Sequence, residues 1–440
     1  MNYPKVFIFG QPFNNFSGGG ITLTNLFKGW NKNKIAVAYL GHGLYNVTTD
    51  VCDTIYQLGY EEYKWMFPFN LIQRKFPSGL KIYDPDKTPS FYLIQTGIRY
   101  KIVNSIFYPF LRWIGLFHFA SKIDVSERLK AWLYDYKPDI LYLQVSTRED
   151  ILFSAGLIDL LKIPSVIHIM DDWPATICNG SILKKYWKEK IDRELKNLMN
   201  KIDLHLSISD AMSEEYSKRY NKQFLAFHNP IETEKWLPYS KKDYSVRKDN
   251  VKILYSGRIG MGIRDSIYEV ASAIDKMNNN EFNIKLHIQT PTREEGVLSQ
   301  LKKYRCVVIN PFASLDQLPE IFSGADLLLL ANDFSPQAAD YLKLSMPTKA
   351  SEYMISGTPI LAYSPEETAV SRFFKHHECA YCVHEQDQAE IIKAVRFMLS
   401  NENYCKAIGN KAVEVAKNNF SAQKVRAEFQ NLLIKTVNYE

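Results

Sequence analysis

The chain has 440 residues, of which 46% are hydrophobic and 23% are charged, so it is expected to bury two cores rather than one. Its net charge of +6 is small for this length and excludes the strongly basic surface of a nucleic-acid-binding protein. Six cysteines are too few for a disulfide framework, and the apolar run at the N-terminus is too short for a signal peptide. Together they predict a cytoplasmic protein.

The first half of the chain alternates apolar runs with helical patterns. Buried strands are predicted for the runs KVFIFG, IAVAYLG, ILYLQVS, SVIHIMD and LHLSIS, and helices for intervening stretches such as SERLKAWLYDY. Because the hydrophobic residues are continuous rather than alternating, the strands are expected to form a parallel sheet that is covered on both faces.

A glycine-rich turn, SGGG at 17–20, follows the first predicted strand and precedes a helical pattern. Gly19 and Gly20 can expose backbone N–H groups there and let a ligand approach closely; a turn that is only flexible is the alternative. The stretch lacks the GxGxxG spacing and the following acidic residue of a nicotinamide site, so that cofactor is not expected.

One region departs from the alternating pattern. Residues 91–122 contain nine aromatic residues, four Lys or Arg and no acidic residue. Pro109 and Arg112 interrupt the region, which argues against a membrane-spanning helix. Two interpretations remain: a basic aromatic face that lies in a membrane interface, or a buried helical insertion whose cations reach the surface.

The stretch VIHIMDDWPAT (166–176) places polar residues at the end of a predicted buried strand. His168, Asp171 and Asp172 are expected to point toward a ligand site at that edge of the sheet. A core histidine is the alternative for the first, and a turn or helix-capping residue for one of the two aspartates. No metal site is predicted, because the spacing suggests no third ligand.

The second half repeats the alternating pattern from about Val251 onward, with the strands VKILYSGR, IKLHIQT, CVVINPF, ADLLLLA and TPILAYS. The polar segment 236–250 before it is predicted to be a linker. We therefore expect an α/β protein with two doubly wound domains, at 1–235 and 251–419, facing a central cleft that holds the ligand.

The stretch YSGRIGMGIRDSI (255–267) places two arginines around a glycine-rich turn between a strand and a helix. Arg258 is expected at the strand end, and Arg264 near the start of the next helix. Guanidinium groups offer planar, bidentate donors, and the helix N-terminus adds its own N–H groups. This combination predicts a diphosphate-binding site, although either arginine alone could be a surface charge.

The stretch MPTKASEYMISGTPI (346–360) predicts a short helix that Pro347 opens and Gly357 closes. If the ligand is a nucleoside diphosphate, the first helical turn with Thr348 and Lys349 is placed to meet its phosphates. Glu352, one turn deeper, can accept hydrogen bonds from both ribose hydroxyls. An ordinary surface ion pair between positions i and i+3 is the alternative.

In this combination of motifs the chain resembles the GT-B-fold glycosyltransferases of family 4, the retaining, nucleotide-sugar-dependent class also described as glycosyl transferases group 1. The resemblance is carried by SGGG, by SISDAMSEEYSKRY with HNPIETEKW, by SGRIGMGI and by PTKASEYMISGTPIL. It spans most of the chain. It implies that the segment 420–440 is a helix returning to the N-terminal domain, which binds the acceptor, while the C-terminal domain binds the donor.

The resemblance assigns roles to several of these residues. It implies that Arg258 and Arg264 bind the diphosphate, although the second position is usually Lys, and that Glu352 binds the ribose as the second Glu of an E-x7-E motif. His168 would lie near the transferred sugar, and Gly19 and Gly20 near the phosphates or the acceptor.

One position departs from the family pattern. Leu344 stands where the first Glu of the E-x7-E motif belongs, and Asp333 or Asp340 is a candidate for replacing its polar group. Relatives with a P-x-K…E-Y-M version often lack that Glu as well, so the departure does not predict an inactive chain.

The resemblance implies an enzyme that transfers a hexosyl or related sugar, with retention, from a nucleotide-diphosphate donor to a hydroxyl of a glycan or lipid-linked acceptor. A role in cell-surface polysaccharide synthesis, at the inner face of the cell membrane, and no cofactor or metal are expected. Two alternatives are a nucleotide-sugar epimerase or hydrolase on the same fold, and a sugar-nucleotide-binding partner protein without turnover. The base, sugar, linkage and oligomeric state are left open.

Overall fold

The computed structural model describes residues 3–44, 47–71, 73–81, 102–177, 179–278, 282–292 and 294–438. The chain divides into two compact units. The first consists of residues 1–227 and 426–440, and the second of residues 228–425.

The first unit is built on an eight-stranded sheet with the order β10-β9-β8-β7-β1-β2-β3-β5. All neighbouring strands are parallel except β3 and β5, and β4 pairs with β6 in a separate antiparallel ribbon. The strands are β1 (Val6–Phe9), β2 (Ile35–Leu40), β3 (Thr54–Leu58), β4 (Tyr63–Trp65), β5 (Gly79–Lys81), β6 (Ser121–Ile123), β7 (Ile140–Leu143), β8 (Ser165–Ile169), β9 (Leu204–Ser207) and β10 (Phe224–Ala226).

The α-helices between these strands are α1 (Gly18–Phe27), α2 (Tyr108–Trp113), α3 (Glu127–Tyr136), α4 (Arg148–Leu161), α5 (Trp173–Thr176), α6 (Lys184–Met199) and α7 (Asp210–Tyr220). A π-helical turn (Val103–Phe107) leads directly into α2. Short 3-10 turns span Lys32–Lys34, Gly41–Gly43, Phe69–Leu71 and Phe117–Phe119.

The second unit is built on a six-stranded, fully parallel sheet with the order β13-β12-β11-β14-β15-β16. Its strands are β11 (Val251–Ser256), β12 (Ile284–Gln289), β13 (Val307–Asn310), β14 (Leu327–Ala331), β15 (Ile360–Tyr363) and β16 (Tyr381–Val383). Its helices are α8 (Thr233–Trp236), α9 (Arg264–Met277), α10 (Glu295–Leu301), α11 (Leu318–Ser323), α12 (Pro336–Leu342), α13 (Thr348–Ile355), α14 (Ala369–His377), α15 (Gln388–Ser400) and α16 (Glu402–Asn419). Two 3-10 turns span Leu237–Tyr239 and Leu315–Gln317.

Continuous apolar strands form the centre of both sheets, as predicted. Every residue of β1 and β7 in the first unit is buried, and so is every residue of β14 and β15 in the second. Strands buried on both faces carry no polar alternation, because helices cover each side of a parallel sheet. The predicted α/β architecture with parallel sheets is confirmed.

The last helix, α17 (Ala422–Val437), begins in the second unit, and its residues from 426 onward belong to the first. In the first unit its Arg426 donates to the carbonyl of Asn25 at 2.8 Å. The Phe429 ring, which is fully buried, lies 5.2 Å from that of Phe27.

The segment 236–250, predicted to be a linker, is packed into the second unit. Trp236 lies in one hydrophobic cluster of that unit and Tyr244 in another. The Tyr244 hydroxyl also donates to the carbonyl of Gly357 at 3.0 Å. The segment is irregular because it has no apolar periodicity, but its isolated aromatic residues hold it against the sheet.

The basic aromatic region 91–122 is helical from 102 to 113, while its residues 91–101 lie outside the described residues. Leu111 of this helix is buried, whereas Phe110 and Trp113 are 54% and 53% exposed. The interpretation as a buried insertion is therefore wrong for the described part, because much of its apolar surface faces outward.

Candidate functional site

The strand order of the second unit defines where a ligand is expected to bind. From β11 the chain proceeds to β12 and β13 on one side of the sheet, and β14, β15 and β16 continue on the other side. Beyond the carboxyl ends of two such strands, α/β sheets form a crevice. Arg258 follows β11, and Asp333 follows β14, at this topological switch point.

The loop after β11 is fastened at several points. Gly257 has a φ of +142°, which favours glycine, and its N–H donates to the carbonyl of Gln289 at 2.9 Å. The Tyr255 hydroxyl donates to the carbonyl of Arg258 at 2.6 Å. The Thr292 hydroxyl accepts from the N–H of Ile259 and donates to the carbonyl of the same residue. The backbone of this loop is thus held in place, while the Arg258 side chain is exposed.

Arg264 is the first residue of α9, and its side chain is exposed. Its Nε donates to the Asp265 carboxylate at 3.1 Å, a contact that raises the pKa of Arg264. The start of this helix is capped from a distant part of the chain, because the Asp333 carboxylate accepts from the N–H of Ser266 at 2.8 Å. Burial raises the pKa of Asp333.

Helix α13 supplies the second set of charged residues. Pro347 is its N-cap, one position before the first helical residue, Thr348. Gly357, with a φ of +71°, follows its last turn as predicted. The helix is fixed to β11 by Tyr353, whose hydroxyl accepts from the N–H of Ser256 at 2.9 Å.

Lys349 and Glu352 are both partly buried. The Lys349 ammonium lies 4.0 Å from the centre of the Tyr255 ring, a cation–π contact. It also lies close to Gly257, where a Cβ would be 3.4 Å from Nζ. Among the described residues, neither charged side chain has a hydrogen bond or salt bridge, so both are available to a ligand.

The pKa values of this pair reflect their surroundings. Burial lowers the pKa of Lys349 to about 7 and raises the pKa of Glu352 to about 7, and each charge partly offsets this effect on the other. Burial disfavours both charged forms, so a ligand that is complementary to either charge shifts its protonation.

The structure explains the glycines of the SGGG turn through packing. Gly19 and Gly20 lie in the first turn of α1, whose N-cap Ser17 accepts from the N–H of Gly20 at 3.1 Å. A Cβ on Gly20 would lie 2.2 Å from Nδ2 of Asn14, and one on Gly19 would lie 2.9 Å from Oε1 of Gln11. The Asn14 side chain therefore leaves room only for glycine at position 20, whereas the end of the Gln11 side chain can move away from a Cβ at position 19. Ligand contact by this turn stays a prediction.

His168 lies within β8 and is 1% exposed. Its Nδ1 is 2.6 Å from the hydroxyl of Tyr142 on the neighbouring strand β7. This environment is that of a buried histidine with a hydrogen-bond partner, the alternative considered for it. Its role near a transferred sugar stays a prediction.

The two aspartates after β8 have different environments. Asp171 is exposed, whereas Asp172 is buried and accepts two hydrogen bonds from the Arg219 guanidinium, at 2.9 and 3.2 Å. The hydroxyl of Tyr216 donates to it as well, at 2.8 Å. Asp172 therefore joins the end of β8 to α7. Its contacts are explained by this structural role and give no sign of a binding site for a sugar acceptor.

Leu344, in place of a family Glu, is 3% exposed, as expected for an apolar side chain that is packed rather than presented to solvent. Of the two candidate substitutes, Asp333 is engaged in capping α9, and Asp340 is exposed on α12. Neither is shown to replace the missing carboxylate.

Sequence reasoning missed Tyr255 and the capping role of Asp333. In the sequence, Tyr255 cannot be distinguished from the apolar residues of a buried strand, and only the structure shows that its ring contacts the Lys349 ammonium.

Within the described ranges, no group of three or more His, Cys, Asp or Glu could hold a metal ion. No described helix is both long and apolar enough to cross a bilayer.

Comparisons with known proteins find a family match within the second unit and structural matches over nearly the whole chain. Residues 250–401 match the family model described as Glycosyl transferases group 1. Sucrose-phosphate synthase from Thermosynechococcus elongatus is similar over 99% of both chains, with a TM-score of 0.63 and 13% identity. Anabaena HepE, solved with UDP and glucose, has a TM-score of 0.61 and 12% identity over 98% of this chain and 100% of its own.

A third similar structure is a TarM variant from S. aureus, in a complex that includes UDP, with a TM-score of 0.57 and 12% identity. The similarity covers 98% of this chain and 99% of that one. A sequence search finds no match among curated proteins.

These similarities identify the architecture as the GT-B fold of glycosyltransferases, with two Rossmann-like units, and confirm the predicted fold class. Within that architecture, the second unit carries a glycosyl transferases group 1 domain.

Proposed function

We propose that the protein transfers a sugar from a nucleoside-diphosphate donor to a hydroxyl of its acceptor, with retention at the anomeric carbon. The observation that carries this proposal is the Lys349–Glu352 pair on α13, which is partly buried and whose side chains form no hydrogen bond or salt bridge among the described residues. Arg258 at the end of β11 and Arg264 at the start of α9 add cations within the same matched domain.

Uridine is the base with the most support. HepE has been solved with UDP-glucose, and the TarM complex includes UDP. In this chain the diphosphate would be held by Arg258, Lys349 and the N–H groups at the start of α13, including that of Thr348. The Glu352 carboxylate would accept from the ribose hydroxyls.

The chemistry proposed for these residues is electrostatic. When the bond between the sugar and the diphosphate breaks, negative charge grows on the leaving oxygen, and the cations of this site would stabilise it. Removing one such donor typically raises the barrier by about 3–4 kcal/mol. The acceptor hydroxyl would attack from the face that the diphosphate leaves, and a phosphate oxygen would take its proton, which gives retention.

We infer no requirement for a metal or another cofactor, because Arg258, Arg264 and Lys349 can supply the positive charge that the leaving diphosphate needs. Chelation with EDTA is therefore expected to leave the activity unchanged.

The acceptor that we propose is a glycan or lipid-linked glycan at the inner face of the cell membrane, in the synthesis of a cell-surface polysaccharide. Support comes from the exposed aromatic residues of the first unit, of which Phe110 and Trp113 are more than half exposed. The TarM complex, which includes α-GlcNAc-glycerol, shows a similar fold with a glycosylated small molecule.

A transfer assay tests this function. UDP-sugars with a labelled sugar are incubated with a membrane fraction and the wild type, Lys349→Ala or Arg305→Ala. The last is a matched control, an exposed cation before β13, at the opposite edge of the sheet. The wild type and the control are expected to label a lipid or glycan fraction, and Lys349→Ala is expected to do so roughly a hundredfold more slowly.

Other products would support the alternative functions. Free or epimerised labelled sugar, formed at the rate of donor consumption without an acceptor, would indicate a hydrolase or epimerase. Donor binding without any product would indicate a binding partner, the alternative that Leu344 favours.

A further inference from the structure

The helix that ends at Trp113 has apolar side chains on the side that packs against the first unit and also on the side that is exposed. On its inner side, the Phe107 ring stacks 6.5 Å from the Trp65 ring of the first unit. On its outer side are Ile106, Phe110 and Trp113, which are 64%, 54% and 53% exposed, and the rings of Phe110 and Trp113 lie 6.3 Å apart. Several large apolar side chains exposed together on one protein surface often mark an interaction site, so the outer side is a candidate interaction surface.

The start of α6 extends this surface. Ile182, Leu183 and Tyr186 are 64%, 39% and 47% exposed. They adjoin the outer side of the helix, because the N–H of Ile182 donates to the carbonyl of Trp113 at 2.9 Å. We call these six side chains the apolar face: Ile106, Phe110, Trp113, Ile182, Leu183 and Tyr186.

Exposed cations border the apolar face. Lys184, Lys185 and Lys188 belong to α6 and are exposed, as is Arg112 next to Trp113. The first turn of α6 contains no acidic residue, so the positive end of the helix dipole adds to the lysines rather than being neutralised. Two lysines at a helix N-terminus are repelled by the positive end of the dipole, and a bound anion would offset this repulsion.

We infer that the apolar face docks on the surface of an anionic lipid bilayer. Phe110 and Trp113 would enter the interface between headgroups and acyl chains, and the lysines of α6 would contact the headgroups. A second copy of the chain fits less well, because a symmetric contact would place lysines against lysines. This inference extends the proposed membrane-bound acceptor, but docking needs no sugar transfer.

Vesicle co-sedimentation without nucleotide tests the inference. Vesicles of phosphatidylcholine are compared with vesicles that also contain about one-third phosphatidylglycerol, at roughly 0.05 M salt. The wild type is expected to bind only the anionic vesicles. Lys184→Gln/Lys185→Gln should weaken this binding about 25-fold, since each lysine near such a surface contributes about fivefold. Phe110→Ser/Trp113→Ser should weaken it at least about tenfold.

Matched substitutions outside the face are expected to change nothing. Tyr134→Ser removes an aromatic residue of the first unit that is 51% exposed. Lys302→Gln/Lys303→Gln removes two adjacent exposed lysines of the second unit. Melting temperatures and UDP binding report whether each variant is folded, and the lysine pair decides the test if the aromatic pair fails to fold.

Three results would overturn the inference: no binding of the wild type to anionic vesicles, equal binding by the wild type and both face variants, or a dimer in solution that the aromatic pair dissociates while vesicles are not bound. These results leave UDP binding untouched, so they are distinct from a failure of the proposed function. Loss of UDP binding with docking retained would contradict the proposed function alone.

Discussion

At the scale of single residues, burial controls the charges of the proposed donor site. Tyr255, on which the ammonium of Lys349 rests, offers a polarisable ring but no hydrogen bond. Burial brings the pKa of both Lys349 and Glu352 to about 7, from opposite directions. Protonation of the pair is expected to change across the neutral range, where an ordinary lysine and an ordinary glutamate would not titrate.

This pair predicts that donor affinity depends on pH. A bound diphosphate favours the charged form of Lys349, so above about pH 7 binding must take up a proton and is expected to weaken, approaching tenfold per pH unit. Ribose hydroxyls favour the carboxylate of Glu352, so below about pH 7 binding must release a proton and is also expected to weaken. The affinity for UDP-glucose, a diphosphate diester that does not titrate in this range, should therefore be highest near neutrality.

Calorimetric titrations from about pH 6 to 9 measure this profile. Lys349→Arg keeps its charge and should flatten the alkaline side, whereas Glu352→Gln should flatten the acidic side. An affinity for UDP-glucose that is constant over the whole range would show that neither group changes its protonation on binding.

At the scale of secondary-structure elements, Asp172 links the end of β8 to α7. Asp172→Ala would leave the Arg219 guanidinium and the Tyr216 hydroxyl without this partner, and removing one member of such a buried pair costs about 3–5 kcal/mol. Because Arg219 is partly exposed, with 26% of its side chain accessible, we expect the lower end, a loss of about 3 kcal/mol in the free energy of unfolding.

The neighbouring Asp171 provides the matched control. It is exposed, and Asp171→Ala is expected to change the free energy of unfolding by no more than about 0.5 kcal/mol. Urea denaturation of both variants measures the difference. Equal stabilities for the two variants would contradict the structural role of Asp172 and would favour the predicted role in binding the sugar acceptor.

Elements with a local signal could be predicted from the sequence. The strands around Val6 and Leu327 are continuous apolar runs, and the end of α13 is marked by Gly357, which adopts the positive φ that its position requires. Contacts between distant residues carry no such signal. Asp333 caps α9 from 67 residues away, and nothing local distinguishes it from any polar residue that follows a strand.

At the scale of the whole molecule, the repetition of the strand pattern was enough to predict two parallel α/β units. The polar segment 236–250 was harder to interpret, because Trp236 and Tyr244 are isolated in sequence and become core residues only through tertiary packing. The chain passes between the units at 227 and 228 and again at 425 and 426, and the second passage falls inside α17, where no break in the helical pattern could reveal it.

The sequence motifs of the second unit come together at one edge of its sheet. The loop after β11, the start of α9 and α13 are far apart in the chain, yet Lys349 of α13 lies over the ring of Tyr255 in β11, beside that loop. The doubly wound topology produces this convergence, because parallel strands end at the same edge. The residues proposed to bind the donor follow from that topology, and their number and chemistry suit a diphosphate.

Titration of UDP into the purified protein by calorimetry tests the central claim, that this edge of the second sheet binds a nucleoside diphosphate. The wild type and the control Arg305→Ala are expected to bind UDP with equal affinity and one-to-one stoichiometry. Arg258→Ala should bind roughly ten- to a hundredfold more weakly, the loss expected for hydrogen bonds to a charged group. No binding by the wild type, or equal binding by Arg258→Ala, would contradict the account.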